Sequence, residues 1–397
     1  MDAAEVKDIV IVGGGICGLA TALALHRKGL ESIVLERSET LRDTGAAIAI
    51  QSNGWRALDQ LGLGSKLRQT TIPIIGYRDV WLDKGSIKET PLVGTGTGEA
   101  PRCLKRRDLI QTLADALPLG TIHFGLQLAS VKLDPANYYP ILQLHDGSSI
   151  VAKILIGCDG VNSVVANFLG LKPTKESDIC SVRGLTNYPN GHVFPHEGVR
   201  TWRNDILIGR TPIDNRAEVF QRPELIREST LRTIDGFPTE FAQLIEGSDL
   251  ESLSFAHFRY RAPWDLLLGK FRKGTVVVAG DAMHVMGPYL GQGGSAALED
   301  AIVLARCLSR KFVTTVNHLH TSESKMATRM MMHEVGEAMD QYVNERRMRW
   351  VQLSTQTYLN GLLSRPSSAL MKSACIVFMK VFFSNPSSHT QYDCGLL

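Results

Sequence analysis

An α/β fold is what the chain predicts: a mixed or parallel sheet entered through a βαβ unit, a smaller β-sheet domain and a set of C-terminal helices. Three stretches carry that prediction. Near the N-terminus, Asp8-Ile9-Val10-Ile11-Val12 runs into Gly13-Gly14-Gly15-Ile16-Cys17-Gly18, strand formers followed by the G-x-G-x-x-G spacing of a Rossmann-like unit. In the middle, Ile154-Leu155-Ile156-Gly157 closes on Cys158-Asp159-Gly160. Downstream, residues 276–301 read VVVAGDAMHVMGPYLGQGGSAALEDA: an apolar strand, Gly280-Asp281, a loop holding His284 and Pro288, then Gly291, Gly293 and Gly294 ahead of a helical pattern. Each stretch puts an acid or a glycine turn at the carboxyl end of a strand, where open α/β sheets bind ligands.

Bulk properties set the frame. With 397 residues, 44% hydrophobic and 21% charged, the chain can bury a large core and is expected to form two packed domains. A formal net charge of +3 with scattered basic residues argues against a nucleic-acid partner. The seven cysteines form no CxxC pair, so no metal site is expected. Their odd number, without a visible signal or transit peptide, predicts reduced thiols and an intracellular, cytoplasmic protein. No apolar window reaches the roughly 20 residues of a membrane span. The apolar 369–383 segment is read as packing on the main body, with weak peripheral membrane contact as the alternative. Oligomeric state leaves no mark on the sequence.

Taken in order, Gly13 permits the tight turn, Gly15 lets backbone approach a pyrophosphate, and Gly18 lets the helix from Ile16 to Lys28 pack on the strand. A second strand, Ser32 to Leu35, ends in Glu36, spaced to accept ribose hydroxyls, with Arg37 beside it. A helix is expected near 53–61, strands over 76–92, and a loop at 94–98. Arg106-Arg107-Asp108-Leu109 opens an amphipathic helix, and its guanidinium groups can bridge to a phosphate. Strands follow at 123–131, 141–144, 149–152 and 154–157. Beyond Asp159, short strands are expected at 182–186, 192–194, 199–202 and 206–208, with a turn at Gly209-Arg210-Thr211-Pro212. Helices are expected over 295–308 and about 326–358. No HExxH, P-loop or convincing G-x-S-x-G is present.

The three motifs, in this order and spacing, resemble the single-component FAD-dependent (class A) flavoprotein monooxygenases, with the plant salicylate-hydroxylase-like subgroup nearest. The resemblance covers about residues 7 to 350. It implies an FAD-binding domain in two parts, 1–175 and 263–312, a substrate β-sheet domain at 176–262, and a C-terminal helical region at 313–397. It implies that Gly13, Gly15, Gly18, Glu36 and Arg37 hold the ADP half of FAD and that Arg106 contacts the cofactor. Asp159 and Gly160 would serve FAD and the passing NADH or NADPH; Asp281 the ribityl chain; Pro288, Gly291, Gly293 and Gly294 the isoalloxazine. The implied reaction uses NAD(P)H and O2 to hydroxylate or epoxidise a small aromatic, phenolic or other electron-rich substrate through a C4a-hydroperoxyflavin. His284 is the one candidate general base, with a structural role in its loop as the competing reading.

Two departures stand out. Ala166 occupies a position where many relatives carry arginine. Between Ile213 and Pro223 the chain passes straight into a helical pattern, where relatives have further aromatic-rich strands, so the substrate domain reads as shortened. This keeps two alternatives: a catalytically impaired flavin-binding variant, and a flavin reductase or dehydrogenase without oxygen transfer.

Overall fold

The computed structural model describes residues 6–41, 47–92, 99–188, 191–213, 224–319, 325–363, 368–383, 385 and 388–397. The 94–98 loop and nearly all of the 213–223 junction read from the sequence lie outside these residues.

The first strand, Val6–Val12, runs up the middle of an eight-stranded sheet because Ile9, Val10, Ile11 and Val12 are apolar on both faces, and all are at most 5% exposed. Such continuous runs mark a parallel strand covered on both sides. Ser149–Gly157 lies parallel to it on one side and Ile33–Leu35 on the other, and Val276–Val278 lies parallel beyond Ser149–Gly157. The two stretches read as separate strands at 149–152 and 154–157 are one continuous strand. A hairpin arm, Leu128–Leu133 with Pro140–Leu144, extends its outer half in antiparallel pairing.

The Ile16–Arg27 helix is buried along Ile16–Leu25, all round rather than on one stripe. It is sandwiched between the sheet and the long Gly293–Leu319 helix, and its small residues Ala20, Ala22 and Ala24 let both neighbours come close. Each fully buried Leu or Ile here contributes roughly 1.5–3 kcal/mol relative to exposure. The 39-residue Lys325–Leu363 helix packs across the Gly293–Leu319 helix.

The smaller sheet is ordered Ile206–Arg210, Glu197–Arg203, Gly76–Trp81, Ser86–Pro91. Two of its four strands therefore come from the first part of the chain, before the 175/176 boundary drawn from the sequence. Asp79 and Arg200 fasten the two contributions with paired bonds of 2.6 and 2.8 Å. Gly209 and Arg210, read as a turn, continue the strand and pair with Arg200 and Val199, while 192–194 is not a strand. A separate two-stranded ribbon, Lys175–Arg183 with Ser254–Tyr260, stands between this sheet and the main one along the chain. A small core of Val199, Ile234, Phe237 and Phe241 holds the Glu224–Thr233 and Thr239–Glu246 helices to the smaller sheet.

Candidate active site

The site begins where the parallel strands end. Register places Val12 beside Leu35 and Gly157, and Gly157 beside Val278. The pairing carries on one step past the strands: Gly13 N–H donates to Leu35 C=O at 2.8 Å, Cys158 N–H to Val12 C=O at 2.8 Å, and Ala279 N–H to Gly157 C=O at 2.9 Å. Strands in such a sheet are about 4.8 Å apart, so the turns carrying Glu36, Gly13–Gly15, Asp159 and Asp281 stand side by side along one edge.

The glycines of these turns do two different jobs. Gly13 sits at φ +107, in the left-handed region, and a Cβ there would lie 2.4 Å from the Cys158 carbonyl oxygen; a Cβ on Gly18 would lie 1.9 Å from the Gly13 carbonyl oxygen. These two fit protein against protein. A Cβ on Gly294 would likewise strike Ile48 Cδ1 at 2.4 Å. Gly15, Gly160 and Gly293 are different, because a Cβ on any of them would meet nothing within 4 Å. Open space lies over these three, as a bound group approaching the backbone requires. Helix pairing in Gly293–Leu319 starts with Ala296 N–H on Gln292 C=O. The amides before it lack an intrahelical acceptor and favour negative charge.

The three acids are in different states. Glu36 is buried, its carboxylate accepting Gly14 N–H at 2.7 Å and Ser38 N–H at 2.9 Å, which locks the glycine turn to the second strand. Asp159 turns into its own loop: it accepts the Ser163 hydroxyl at 2.5 Å and Val164 N–H at 2.7 Å. Burial raises its pKa against those bonds. Asp281 is exposed at the start of the short Asp281–His284 turn of helix. Arg37, Arg106, Pro288 and Gly291 are also exposed. Arg183, which the sequence did not single out, is exposed; partial loss of solvent and the like charge of Arg106 lower its pKa. Ala166 packs into the core, its N–H capped by the Ser163 hydroxyl.

Under the glycine loop lies a buried polar network absent from the sequence reading. Asp300 accepts from Arg346 Nε at 2.8 Å, Trp350 Nε1 at 2.9 Å and Gly280 N–H at 3.0 Å, and lies 2.7 Å from His284 Nε2. Its neighbour Glu299 pairs with Arg346 at 2.6 Å and Arg349 at 3.0 Å, and accepts from Asn53 Nδ2 at 2.5 Å. Asn53 also donates to Gln292, inside the glycine loop, at 2.8 Å. Burial alone would raise the Asp300 carboxyl, but the His284 and Arg346 charges and the hydrogen bonds outweigh it and hold it well below the carboxylate range. The only sequence signal was two adjacent acids inside an apolar helix (ALEDAIVLA) and an Arg-x-x-Arg pair (346, 349) on another.

Comparison with known proteins decides the family. The FAD binding domain model matches residues 6–349. The chain belongs to the FAD-dependent monooxygenases. It is 46% identical to Monooxygenase 1 of Arabidopsis thaliana, over 98% of this chain and 99% of that one. It is 31% identical to the 3-amino-4-hydroxybenzoate 2-monooxygenase PtmB3 of Streptomyces platensis, over 76% and 79%. Among solved structures, Klebsiella pneumoniae HpxO complexed with FAD and uric acid shares the fold, with TM-score 0.75 and 19% identity over 97% of this chain and 96% of that one.

In this family member His284 is 0% exposed, bonded to Asp300 and stacked on Trp350 with ring centres 5.9 Å apart. It has no opening to solvent, so the general-base reading gives way to the structural one. A pocket does form beside Pro288. Met286, Gly287 and Tyr289 of the loop meet Ser177, Phe258 and Tyr260 of the two-stranded ribbon and Ser354, Thr357 and Tyr358 of the long helix. Phe258–Tyr289, Tyr260–Tyr358 and Trp264–Tyr358 ring contacts of 5.7–6.0 Å frame it. Its free space is about 30 Å³, room for about one water, so an aromatic ring enters only if these side chains part.

Proposed function

We propose that this FAD-dependent monooxygenase uses NADH or NADPH and O2 to hydroxylate or epoxidise a small aromatic, phenolic or other electron-rich substrate. The observation that carries this reading is the open space above Gly15 and Gly160, in the turns past the parallel strand ends, and above Gly293, at the start of the Gly293–Leu319 helix. The residues fit FAD. Gly13–Gly18 and the start of the Ile16–Arg27 helix would take the pyrophosphate, Glu36 the ribose, Asp281 the ribityl chain, and Gly291, Gly293 and Gly294 the flavin ring, with Arg37 and Arg106 as flanking cations. Asp159, whose carboxylate is engaged in its own loop, would act by shaping that loop, with Gly160 leaving room for the cofactor.

When bound, FAD supplies the redox and oxygen chemistry. The chain's own task is to position and polarise. Amides at the start of the Gly293–Leu319 helix favour the negative charge of a reduced flavin. The Asn53–Gln292 bond and the Glu299–Arg349 pair hold that loop in place. Once its side chains part, the ring-lined pocket would favour a flat, apolar substrate. The aromatic substrate named for PtmB3 and the uric acid bound to HpxO are consistent with that class.

A second reading, a flavin-binding variant with little turnover, has one observation in its favour. The alignment with Monooxygenase 1 runs over 402 positions, longer than this 397-residue chain, so that relative carries residues this chain lacks. Assays of NADH and NADPH oxidation with and without candidate phenolics, read together with peroxide release and product mass, separate the readings. Substrate-dependent oxidation and a product heavier by one oxygen are expected. A yellow protein that oxidises neither nucleotide supports the variant, and turnover without oxygen incorporation supports a reductase.

A further inference from the structure

We propose that the Ala369–Phe382 helix is an interfacial anchor that seats the protein on the surface of an anionic lipid bilayer. The sequence reading favoured packing of this segment against the body, with peripheral membrane contact as the alternative; the helix does pack against Lys325–Leu363, but a broad apolar face is left uncovered. Among the described side chains of the helix only Cys375 is buried, at 4% exposure, while Leu370, Val377, Val381 and Phe382 are 82, 60, 66 and 65% exposed. Leu370, Ala374, Val377 and Val381 follow the i, i+4, i+7, i+11 spacing of a single helical stripe, and all four are exposed. Phe378 and Phe382 flank it, with ring centres 4.4 Å apart.

The helix is held with this face outward. At its start, Ser368 caps it by accepting Met371 N–H. Past its end, the tail is tied to the body: Ser52 donates to Thr390 C=O at 2.7 Å, Arg349 to His389 C=O at 2.6 Å, and Leu397 N–H to Gln60 at 3.0 Å. Fourteen residues of helix span about 21 Å, short of the roughly 30 Å hydrocarbon core. Among the described residues no helix is long and apolar enough to cross a membrane. The geometry is that of a helix lying in the interface plane.

Charge selects the occupant. Between Trp350 and Asp393 the only Asp, Glu, Lys or Arg residues are Arg365, Lys372 and Lys380. The helix itself carries no Asp or Glu, so a second copy of it seated on the stripe would bring no partner for the exposed Lys380. An anionic bilayer satisfies both the apolar stripe and Lys380 at its edge.

The test is flotation of the full-length, FAD-loaded chain with vesicles of phosphatidylcholine alone or of phosphatidylcholine with phosphatidylserine, at low and high salt. The chain is expected to float with the phosphatidylserine vesicles, less so at high salt. Lys380→Glu should weaken that binding at least about fivefold, since a cation near such a surface contributes about 1 kcal/mol. Val377→Asp with Val381→Asp should abolish it while the flavin spectrum stays unchanged. Three results would overturn the proposal: no flotation with either vesicle, flotation unaffected by all these substitutions, or a dimer in ultracentrifugation that Val377→Asp converts to monomer.

Discussion

Glu36 and Asp300 are both buried carboxylates, yet only one was marked in the sequence. Glu36 stands at the end of a strand at a fixed distance from a glycine motif, so its place follows from local geometry. Its carboxylate holds the Gly14 and Ser38 amides. Glu36→Ala should weaken FAD binding roughly ten- to a hundredfold, the equivalent of about 1.5–3 kcal/mol for a charged hydrogen bond. Glu36→Gln, which keeps an acceptor, should lose less; flavin fluorescence titration measures both. Asp300 was illegible because its partners Arg346 and Trp350 lie 46 and 50 positions away. Asp300→Asn leaves Arg346 short of a buried counter-charge and should cost about 3–5 kcal/mol of stability. Because the folded state holds the Asp300 carboxyl below its unfolded value of about 3.9, its contribution is present above that pH. It is lost as pH falls toward the folded value. Thermal melts should show the wild type losing its advantage over Asp300→Asn below about pH 4.

At the scale of elements, the strand–glycine–helix units were legible because each depends on contacts within a few tens of residues. Gly13 and Gly18 are required by backbone that passes 2.4 and 1.9 Å from where a Cβ would sit. Gly18→Ala should therefore destabilise the apoprotein by about 1–3 kcal/mol, the usual cost of overpacking, as chemical denaturation can measure. How far the 369–382 helix would be covered was not legible for a physical reason: its apolar residues look the same whether they face a core or a surface, and periodicity does not say what covers a face. The strand continuing through Gly209-Arg210 was missed because glycine there reads as a turn, whereas pairing with Val199 and Arg200 overrides that preference.

Across the whole molecule, the chain order of motifs exposed the cofactor edge but hid the way the smaller sheet is shared. Gly76–Trp81 lies parallel to Glu197–Arg203, about 120 residues apart in sequence, and no local pattern announces such a pairing. The account rests on one groove, open above Gly15 and closed around Gly18, receiving FAD at the ends of the parallel strands. Gly15→Ala isolates that claim, since its Cβ meets no protein atom within 4 Å and its φ of −83 is ordinary for alanine. The direct measurement is FAD titration of the wild-type and Gly15→Ala apoproteins alongside their melting temperatures. The expected result is one FAD per wild-type chain, with affinity clearly reduced in Gly15→Ala and the apoprotein melts coinciding. A wild-type protein that binds no FAD, or a Gly15→Ala protein that binds it just as tightly, would contradict the account.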